Sequence, residues 1–243
     1  PIGEIRLGIY GNEDPMYILA GLPFIAPDYS SAWLLKDVQM GYLQEKFDKK
    51  GLMILYTAPW PGQGFYTKFP VNSVSDFSGK KLRIYSTATQ QMGSMLGFNA
   101  TILPFAEIPQ AFSTGLIEAL FTSPQTGIDI QAWDNTKHFT YAGAIFSKNA
   151  VVVTKKAFNA LSKGDQSNML AAAKKAELRG WEMSAETTKK QIDILKKNGM
   201  SSKNAPDEVI SKMKSIGLEM MKNWRSKASP EANAVLDRYL SMR

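Results

Sequence analysis

The sequence predicts an α/β fold in which short strands alternate with helices and a very long helix follows. Two observations carry this prediction. Over the first 150 residues, apolar runs of strand length are separated by stretches with helical spacing. From residue 163 to 198 the pattern is helical throughout and contains no proline. A chain of 243 residues is long enough for one large domain or two small lobes.

The strands and helices of the first part alternate in a β-α-β rhythm, which favours a largely parallel sheet with helices on both faces. Predicted strands span residues 5–10, 52–56, 81–85, 101–103, 117–122, 141–146 and 150–154. Predicted helices between them span residues 31–49, 89–96, 108–114 and 126–133.

The second part of the chain is predicted to be helical. A helix of ~35 residues is about 50 Å long, which exceeds the width of one small lobe, so we expect it to run across two lobes. Gly199 stands where a glycine ends a helix. Two more helices follow, at 207–226 and at 230–242, where Ser229 is a good N-cap and Pro230 suits the first helical position.

The most informative segment for function is residues 79–86, which read Gly-Lys-Lys-Leu-Arg-Ile-Tyr-Ser. Their alternation predicts a strand with Arg83 near its C-terminal end and a short helix after it. In open α/β sheets, ligands bind beyond the carboxyl ends of strands, beside helix N-termini. A guanidinium there offers a fixed charge and a planar fork that suits a carboxylate. The residues alone leave Arg83 open between an exposed strand residue and an anion anchor.

Aromatic and polar residues recur where predicted strands end, and such ends converge on one crevice. For any single aromatic residue, packing in the core is the commoner role. Several of them at consecutive strand ends predict a pocket with one cation, a few hydroxyls or amides and aromatic walls, which suits a small organic acid. The residues are Trp60, Gln63, Phe65, Tyr66, Tyr85, Ser86, Phe105, Thr122 and Ser123.

Composition argues against several other classes of protein. The net charge of +7 raises the question of nucleic acid, but the lysines lie on helices mixed with acidic residues and no nucleic-acid motif occurs. We therefore expect no nucleic-acid partner, although an adaptor for nucleic acid or an anionic membrane remains a third hypothesis. The chain has no cysteine, which excludes disulfides, thiolate metal sites and a cysteine nucleophile.

Evidence for an enzyme is weak in the sequence. His138 is the single histidine, and no Gly-x-Ser-x-Gly, His-Glu-x-x-His, Walker A or Gly-x-Gly-x-x-Gly motif is present. The glycine-rich residues 61–64 are interpreted as a turn between strands. An enzyme acting on a carboxylated metabolite in the same crevice stays open as the alternative function. Its general base would be one of Glu107, Glu118, Asp129, Asp134 and His138.

Several motifs follow one another in a recognisable order. Residues 21–24 read Gly-Leu-Pro-Phe, and the Gly-x-Lys-x-Arg pattern of 79–83 precedes Leu-Pro-Phe at 103–105. Glu107, Ala111, Gly115 and Glu118 then follow at the spacing of a helix and its closing turn. Over essentially the whole chain, this order resembles the substrate-binding proteins of tripartite ATP-independent periplasmic (TRAP) transporters.

The resemblance implies a two-lobed periplasmic binding protein, type II-like, with the long helix spanning both lobes. Lobe I would comprise residues 1–60 plus 148–187, and lobe II residues 61–147 plus 188–243. Lobe I would be incomplete at its N-terminus, short by about 60 to 90 residues when judged against an ordinary lobe of ~100–150.

The resemblance also implies a function. The protein would be a periplasmic receptor, not an enzyme, which captures a small organic acid and delivers it to the subunits of a membrane permease. Arg83 would form a salt bridge with the ligand carboxylate, and Gln63, Thr122 and Ser123 would hydrogen-bond the ligand. The expected walls are aromatic: Trp60, Tyr66, Tyr85, Phe105 and Trp133.

The chain departs from some members of that family at three positions. Sialic-acid-type members have a second arginine where Gln63 stands and an asparagine where Thr122 stands. Members that hold a metal use a carboxylate where this chain has Phe121. We therefore expect no metal and no cofactor, and we expect a monocarboxylate with an apolar or aromatic tail in preference to a dicarboxylate or a sialic acid.

Overall fold

The protein is an α/β structure with two separate sheets. A computed structural model describes residues 2–243, and in that range nine strands form the sheets and eight α-helices pack around them. The smaller sheet contains β1 (Ile2–Arg6), β2 (Leu52–Pro59) and β8 (Lys148–Thr154), in the order β1-β8-β2. Both of its strand pairs are antiparallel.

The larger sheet has six strands in the order β5-β4-β6-β3-β7-β9. They are β3 (Gly64–Thr67), β4 (Lys81–Ile84), β5 (Asn99–Ile102), β6 (Ala119–Thr122), β7 (His138–Tyr141) and β9 (Ser201–Asn204). Pairing is parallel among β5, β4 and β6 and between β7 and β9. It is antiparallel on both sides of β3.

The expectation of a largely parallel sheet therefore needs correction: the larger sheet is mixed, with three parallel and two antiparallel pairings, and the smaller sheet is antiparallel. Parallel neighbours need a crossover that returns the chain to the same end of the sheet. The chain enters β3 directly from β2 of the other sheet and leaves β7 for β8 of that sheet, with no crossover helix in either connection. These two connections place β3 and β7 in an antiparallel arrangement at the middle of the larger sheet.

Some strand predictions also need correction. The strand predicted at 5–10 ends at Arg6, and Leu7–Tyr10 forms a short 3-10 helix. The strand predicted at 141–146 overlaps β7 only at Tyr141, because β7 begins at His138 and ends at Tyr141. Two strands, β3 and β9, were not predicted; β9 is the polar sequence Ser-Ser-Lys-Asn, which has no apolar alternation and is extended because it pairs with β7.

Seven of the eight helices lie close to predicted segments, and the short helix at Lys155–Asn159 was not predicted. They are α1 (Tyr29–Asp48), α2 (Thr87–Met95), α3 (Ile108–Ser113), α4 (Pro124–Asp129), α5 (Lys155–Asn159), α6 (Lys163–Lys197), α7 (Asp207–Lys227) and α8 (Pro230–Met242). As predicted, α6 is a single long helix, and it contacts β2 of the smaller sheet as well as α4 and β9 beside the larger one. Within residues 2–243, no helix combines the length and the apolar composition needed to cross a membrane.

Two polar anchors fix α6 to the two parts of the molecule. Toward the smaller sheet, Glu177 accepts hydrogen bonds from the backbone N–H of Thr57 at 2.8 Å and from its hydroxyl at 2.7 Å. Toward the larger sheet, Gln191 Nε2 donates to Gln125 Oε1 of α4 at 2.9 Å. The helix α6 thus connects a strand of the smaller sheet, β2, to a helix beside the larger sheet, α4.

The helix α8 packs against an element that the predicted lobe boundaries assign to the other lobe. It lies against α1, and the Tyr239 hydroxyl donates to the carbonyl of Ile25 at 2.8 Å. The boundaries assign α8 to lobe II and α1 to lobe I, so this packing favours moving α8 to lobe I. The other lobe boundaries stay predictions.

A lysine is buried at the start of β8. The Lys148 side chain is 6% exposed, and its Nζ donates to Gln39 Oε1 at 2.8 Å. Among residues 2–243 no carboxylate forms an ion pair with it. Burial lowers the pKa of Lys148 to about 7, and the charge of Lys36 contributes to this decrease.

We predict opposite effects for two glycine substitutions in helices. In Gly217→Ala, the new Cβ would stand 2.0 Å from the carbonyl oxygen of Pro23, so α7 must move off that segment. Overpacking of this kind costs about 1–3 kcal/mol. The matched control is Gly180→Ala in α6, where no atom lies within 4 Å of the new Cβ, and better helix propensity should stabilise by about 0.5–1 kcal/mol. Urea unfolding of both variants measures the difference, and equal midpoints would contradict the packing.

We also predict that Lys148 makes stability rise with pH. In the folded protein its pKa is about 7, against 10.5 for the free side chain. Between these values the unfolded chain holds a proton that the folded chain lacks, so the free energy of unfolding increases with pH across this window and is lowest below it. Lys148→Met should flatten the increase in urea midpoint between pH 7 and pH 10, whereas Lys156→Met, at an exposed position of α5, should retain it. Equal slopes in the two variants would contradict a lowered pKa.

Candidate functional site

A cleft of about 320 Å³ lies between the two sheets and is lined by residues from both of them. Seven of the nine residues predicted for the site line it: Trp60, Gln63, Arg83, Tyr85, Phe105, Thr122 and Ser123. Arg83 and Thr122 come from the parallel strands β4 and β6, whose carboxyl ends lie side by side. The predicted convergence of strand ends therefore accounts for this wall of the cleft.

Arg83 forms the floor of the cleft. Its neighbours Leu82 and Ile84 face the main hydrophobic core, so alternation along β4 turns Arg83 to the opposite face. The side chain is 1% exposed, and Nε and Nη2 both donate to the carbonyl of Leu103, at 3.0 and 2.8 Å. This contact occupies one edge of the guanidinium. Nη1 makes no hydrogen bond within residues 2–243, so the other edge retains donors for a ligand.

The charge of Arg83 is not balanced by an acid of the protein. None of the ion pairs among residues 2–243 includes Arg83. Burial lowers the pKa of Arg83 to about 10, and the positive charge of Arg6 contributes to this decrease. The group stays charged at neutral pH, because its pKa lies well above 7. A buried cation without a counterion is unfavourable, and an anion in the cleft relieves that cost.

Gln63 and Tyr85 belong to a hydrogen-bonded relay beside the cleft. Tyr85 donates its hydroxyl to Gln63 Oε1 at 2.6 Å, and Gln63 Nε2 donates to Ser147 Oγ at 3.0 Å. Burial raises the pKa of Tyr85 to about 12, which keeps its hydroxyl protonated as a donor. The oxygen and the nitrogen of the Gln63 amide are both hydrogen-bonded to protein groups, so Gln63 connects Tyr85 to Ser147.

The relay lies where the chain passes between the sheets. Residues 60–63 lead from β2 to β3, and residues 142–147 lead from β7 back to β8. The backbone N–H of Trp60 donates to the carbonyl of Ser147 at 2.8 Å, and its indole N–H donates to Asn149 Oδ1 at 3.2 Å. The two crossings are therefore bonded to each other at the edge of the cleft.

The two hydroxyl residues after β6 are not equivalent. Ser123 is the N-cap of α4: its Oγ accepts from the backbone N–H of Thr126 at 3.1 Å and bonds the Thr126 hydroxyl at 3.1 Å. Thr122 has no side-chain hydrogen bond within residues 2–243, and it lines the cleft. Thr122 is thus the hydroxyl that is free to meet a ligand.

Tyr66 and Trp133 do not line the cleft, although the sequence predicts them as walls. Tyr66 is fully buried; its hydroxyl donates to the carbonyl of Ser123 at 3.2 Å, and its ring packs on Phe139 with centroids 4.5 Å apart. Trp133 packs against the same smaller core cluster. Along β3, Phe65 faces the main core and Tyr66 the smaller one, so both sides of this strand are packed.

Five lining residues were not predicted as ligand contacts, although one of them, Asp129, was a candidate general base for the enzyme alternative. They are Arg6, Thr126, Asp129, Ser147 and Asn149. Arg6 is the last residue of β1. A cation near the end of a strand is the same signal that identified Arg83 in the sequence, and it could have identified Arg6. Ser147 lies in the second crossing and Asn149 at the start of β8, where no motif marks them.

The cleft contains little that could support catalysis. Of the five candidate general bases, only Asp129 lines it. Asp129 is exposed and accepts a hydrogen bond from Gln125 Nε2 at 2.7 Å. No group of three or more metal-ligating side chains occurs within residues 2–243. Two arginines, a free hydroxyl and aromatic walls suit the binding of an anion.

Comparison with protein families places this geometry in a known context. The model of the DctP family, bacterial extracellular solute-binding protein family 7, matches residues 2–227. The chain is similar to the crystal structure of DctP7, a Bordetella pertussis extracytoplasmic solute receptor binding pyroglutamic acid, with a TM-score of 0.95 and 37% identity. That match covers 98% of this chain and 79% of the receptor.

Two further relatives are more distant. A marine metagenome TRAP solute-binding protein, specific for pyroglutamate and solved with the co-purified ligand, is 32% identical with a TM-score of 0.93. The match covers 99% of this chain and 79% of that one. A solute-binding protein of Chromohalobacter salexigens is 24% identical over 198 residues, which are 78% of this chain. The chain spans 58% of the length of that curated relative.

Proposed function

The chain belongs to family 7 of the bacterial extracellular solute-binding proteins, and from this premise we propose that it is the receptor of a TRAP transporter. It captures a small organic acid outside the cytoplasm, in the periplasm, and delivers the acid to the subunits of a membrane permease. The family match over residues 2–227 and the similarity to solute receptors support this proposal.

The buried guanidinium of Arg83 is the observation that carries the proposal. One edge of the group is held by the carbonyl of Leu103, and the other edge has no partner among residues 2–243. A ligand carboxylate that approaches this free edge can accept from Nη1 and from the second N–H of Nη2. Such charge-assisted, bidentate contacts combine affinity with a defined ligand orientation.

Pyroglutamate is the ligand that we propose. Two structures with at least 32% identity to this chain are receptors for it. It is a small cyclic monocarboxylate, the class of ligand expected from the sequence, and it suits a cleft with a cationic anchor and apolar walls. Arg83 would bind its carboxylate, while Trp60, Tyr85 and Phe105 would enclose the ring. The hydroxyl of Thr122 can meet the lactam carbonyl, and the carboxylate of Asp129 can accept from the lactam N–H.

We propose that the ligand is enclosed by movement of two lobes about the two chain crossings. The division at residues 60 and 148 is supported by the separate sheets, with α8 reassigned to lobe I because it packs on α1. A ligand that contacts both lobes stabilises the closed state by its greater affinity for that state.

The enzyme alternative receives no support from the comparisons. The family and the structural neighbours are solute receptors and not enzymes. An adaptor for nucleic acid or membranes likewise has no counterpart among them.

We predict that Arg83→Ala lowers the affinity for pyroglutamate by at least ~100-fold. Hydrogen bonds to charged groups contribute about 1.5–3 kcal/mol each, and two of them are lost. Isothermal titration calorimetry measures the loss, and circular dichroism confirms that the variant is folded. Arg238→Ala removes an exposed arginine of α8 and should bind like the wild type. An unchanged affinity in Arg83→Ala would remove the central element of the proposal.

We predict that monocarboxylates stabilise the protein selectively. A ligand at 100 times its dissociation constant stabilises a protein by about 2.7 kcal/mol, which raises the melting temperature by several degrees. In a thermal-shift panel, pyroglutamate should produce this increase, while succinate and sialic acid should not. Native mass spectrometry of the purified protein should reveal a retained acid of matching mass. Stabilisation by dicarboxylates alone would contradict the assignment.

A further inference from the structure

Arg6 contributes a second positive charge to the cleft, from the opposite sheet. It is the last residue of β1 in the smaller sheet, whereas Arg83 lies in β4 of the larger one. Both side chains line the same cleft. Within residues 2–243, neither forms an ion pair with an acid.

The two guanidinium groups are close enough to affect each other. The charge of Arg6 contributes to lowering the pKa of Arg83, which is a sign of repulsion between the two cations. The Arg6 guanidinium lies over the ring of Tyr85, 5.3 Å from its centroid. This cation–π contact turns Arg6 toward the wall that holds Arg83. Tyr85 itself is fixed by its hydrogen bond to Gln63 at the chain crossing.

We propose that Arg6 is a specificity-determining residue, which shares the ligand's anionic group with Arg83 across the cleft. The inference rests on the proposed function. Without ligand, two like charges on opposite sheets repel and oppose closure of the cleft. With an anion between them, each cation is attracted to the anion, and the same pair of residues favours closure. The anionic group is thereby the part of the ligand that holds the two sheets together.

This arrangement also limits which ligands the cleft accepts. A neutral solute of the same size leaves the repulsion between Arg6 and Arg83 uncompensated, so it gains less from closure. Asp129, the acid among the lining residues, lies exposed and accepts from Gln125, and it forms no ion pair with either arginine. The preference for anions over neutral solutes then depends on Arg6 of the smaller sheet as well as on Arg83 of the larger one.

The test compares Arg6→Gln with Arg238→Gln, which removes one exposed positive charge from α8 and so controls for net charge. By calorimetry, we expect Arg6→Gln to bind pyroglutamate about tenfold or more weakly than the control, since a charge-assisted hydrogen bond is lost. Arg6→Lys retains the charge and should recover part of the affinity.

A second experiment measures closure of the cleft in the absence of ligand. The chain has no cysteine, so Gln110→Cys in α3 and Lys156→Cys in α5 create two unique labelling sites at exposed positions. Energy transfer between dyes at these sites reports on the distance between the two sheets. In the ligand-free protein, Arg6→Gln should shift the transfer efficiency toward the ligand-bound value, because the repulsion is removed. A merely structural role of Arg6 would not produce this shift, and Arg6→Lys should abolish it.

Each outcome decides a part of the inference. An unchanged affinity in Arg6→Gln overturns the contact with the anion, and an unchanged ligand-free efficiency overturns the repulsion. If the wild type binds no acid, the proposed function and the contact both fail, while the ligand-free efficiency still tests the repulsion. Weaker binding together with a more closed ligand-free state supports the inference.

Discussion

Arg83 carries a fixed positive charge into a nearly solvent-free position, where the carbonyl of Leu103 satisfies one edge of the guanidinium and no acid within residues 2–243 forms an ion pair with it. Such burial is unfavourable unless an anion completes the site. Strand alternation in β4 dictates which face the side chain takes, and the parallel pairing of β4 with β6 places Thr122 next to it. The uncompensated charge in the cleft thus links the architecture of the larger sheet to the proposed binding of an acid.

The cleft exists because the chain passes twice between two sheets. Both crossings are short and are bonded to each other through Trp60 and Ser147. Gln63 and Tyr85 extend this network to the cleft wall. Gln63 thereby links the cleft to the crossings, and its contact with a ligand stays a prediction. A long helix, α6, provides a third connection through its anchors at Glu177 and Gln191.

Charge at the cleft comes from both sides. Arg6 and Arg83 lie on different sheets. We propose that the repulsion between their charges favours the open cleft when no ligand is bound. In the proposed mechanism an anion between the two arginines turns this repulsion into attraction, so that ligand charge and lobe movement belong to a single equilibrium. A further basic residue, Lys148, is buried at the start of β8 with one amide acceptor, and its lowered pKa reduces its positive charge at neutral pH.

The sequence alone determined the α/β class, seven of the eight helices and the position of Arg83 near the end of a strand, since these depend on local periodicity, capping residues and strand ends. It also predicted the convergence of Tyr85, Phe105 and Thr122, because the carboxyl ends of the parallel strands β4, β5 and β6 share one edge. Trp60 reaches the same cleft from the end of β2 in the other sheet. Only the tertiary structure decided the antiparallel placement of β3, the extended conformation of β9, the burial of Tyr66 and the arrival of Arg6 from the other sheet. These features depend on pairing and packing between residues far apart in the chain, and such contacts leave no periodic trace in the local sequence.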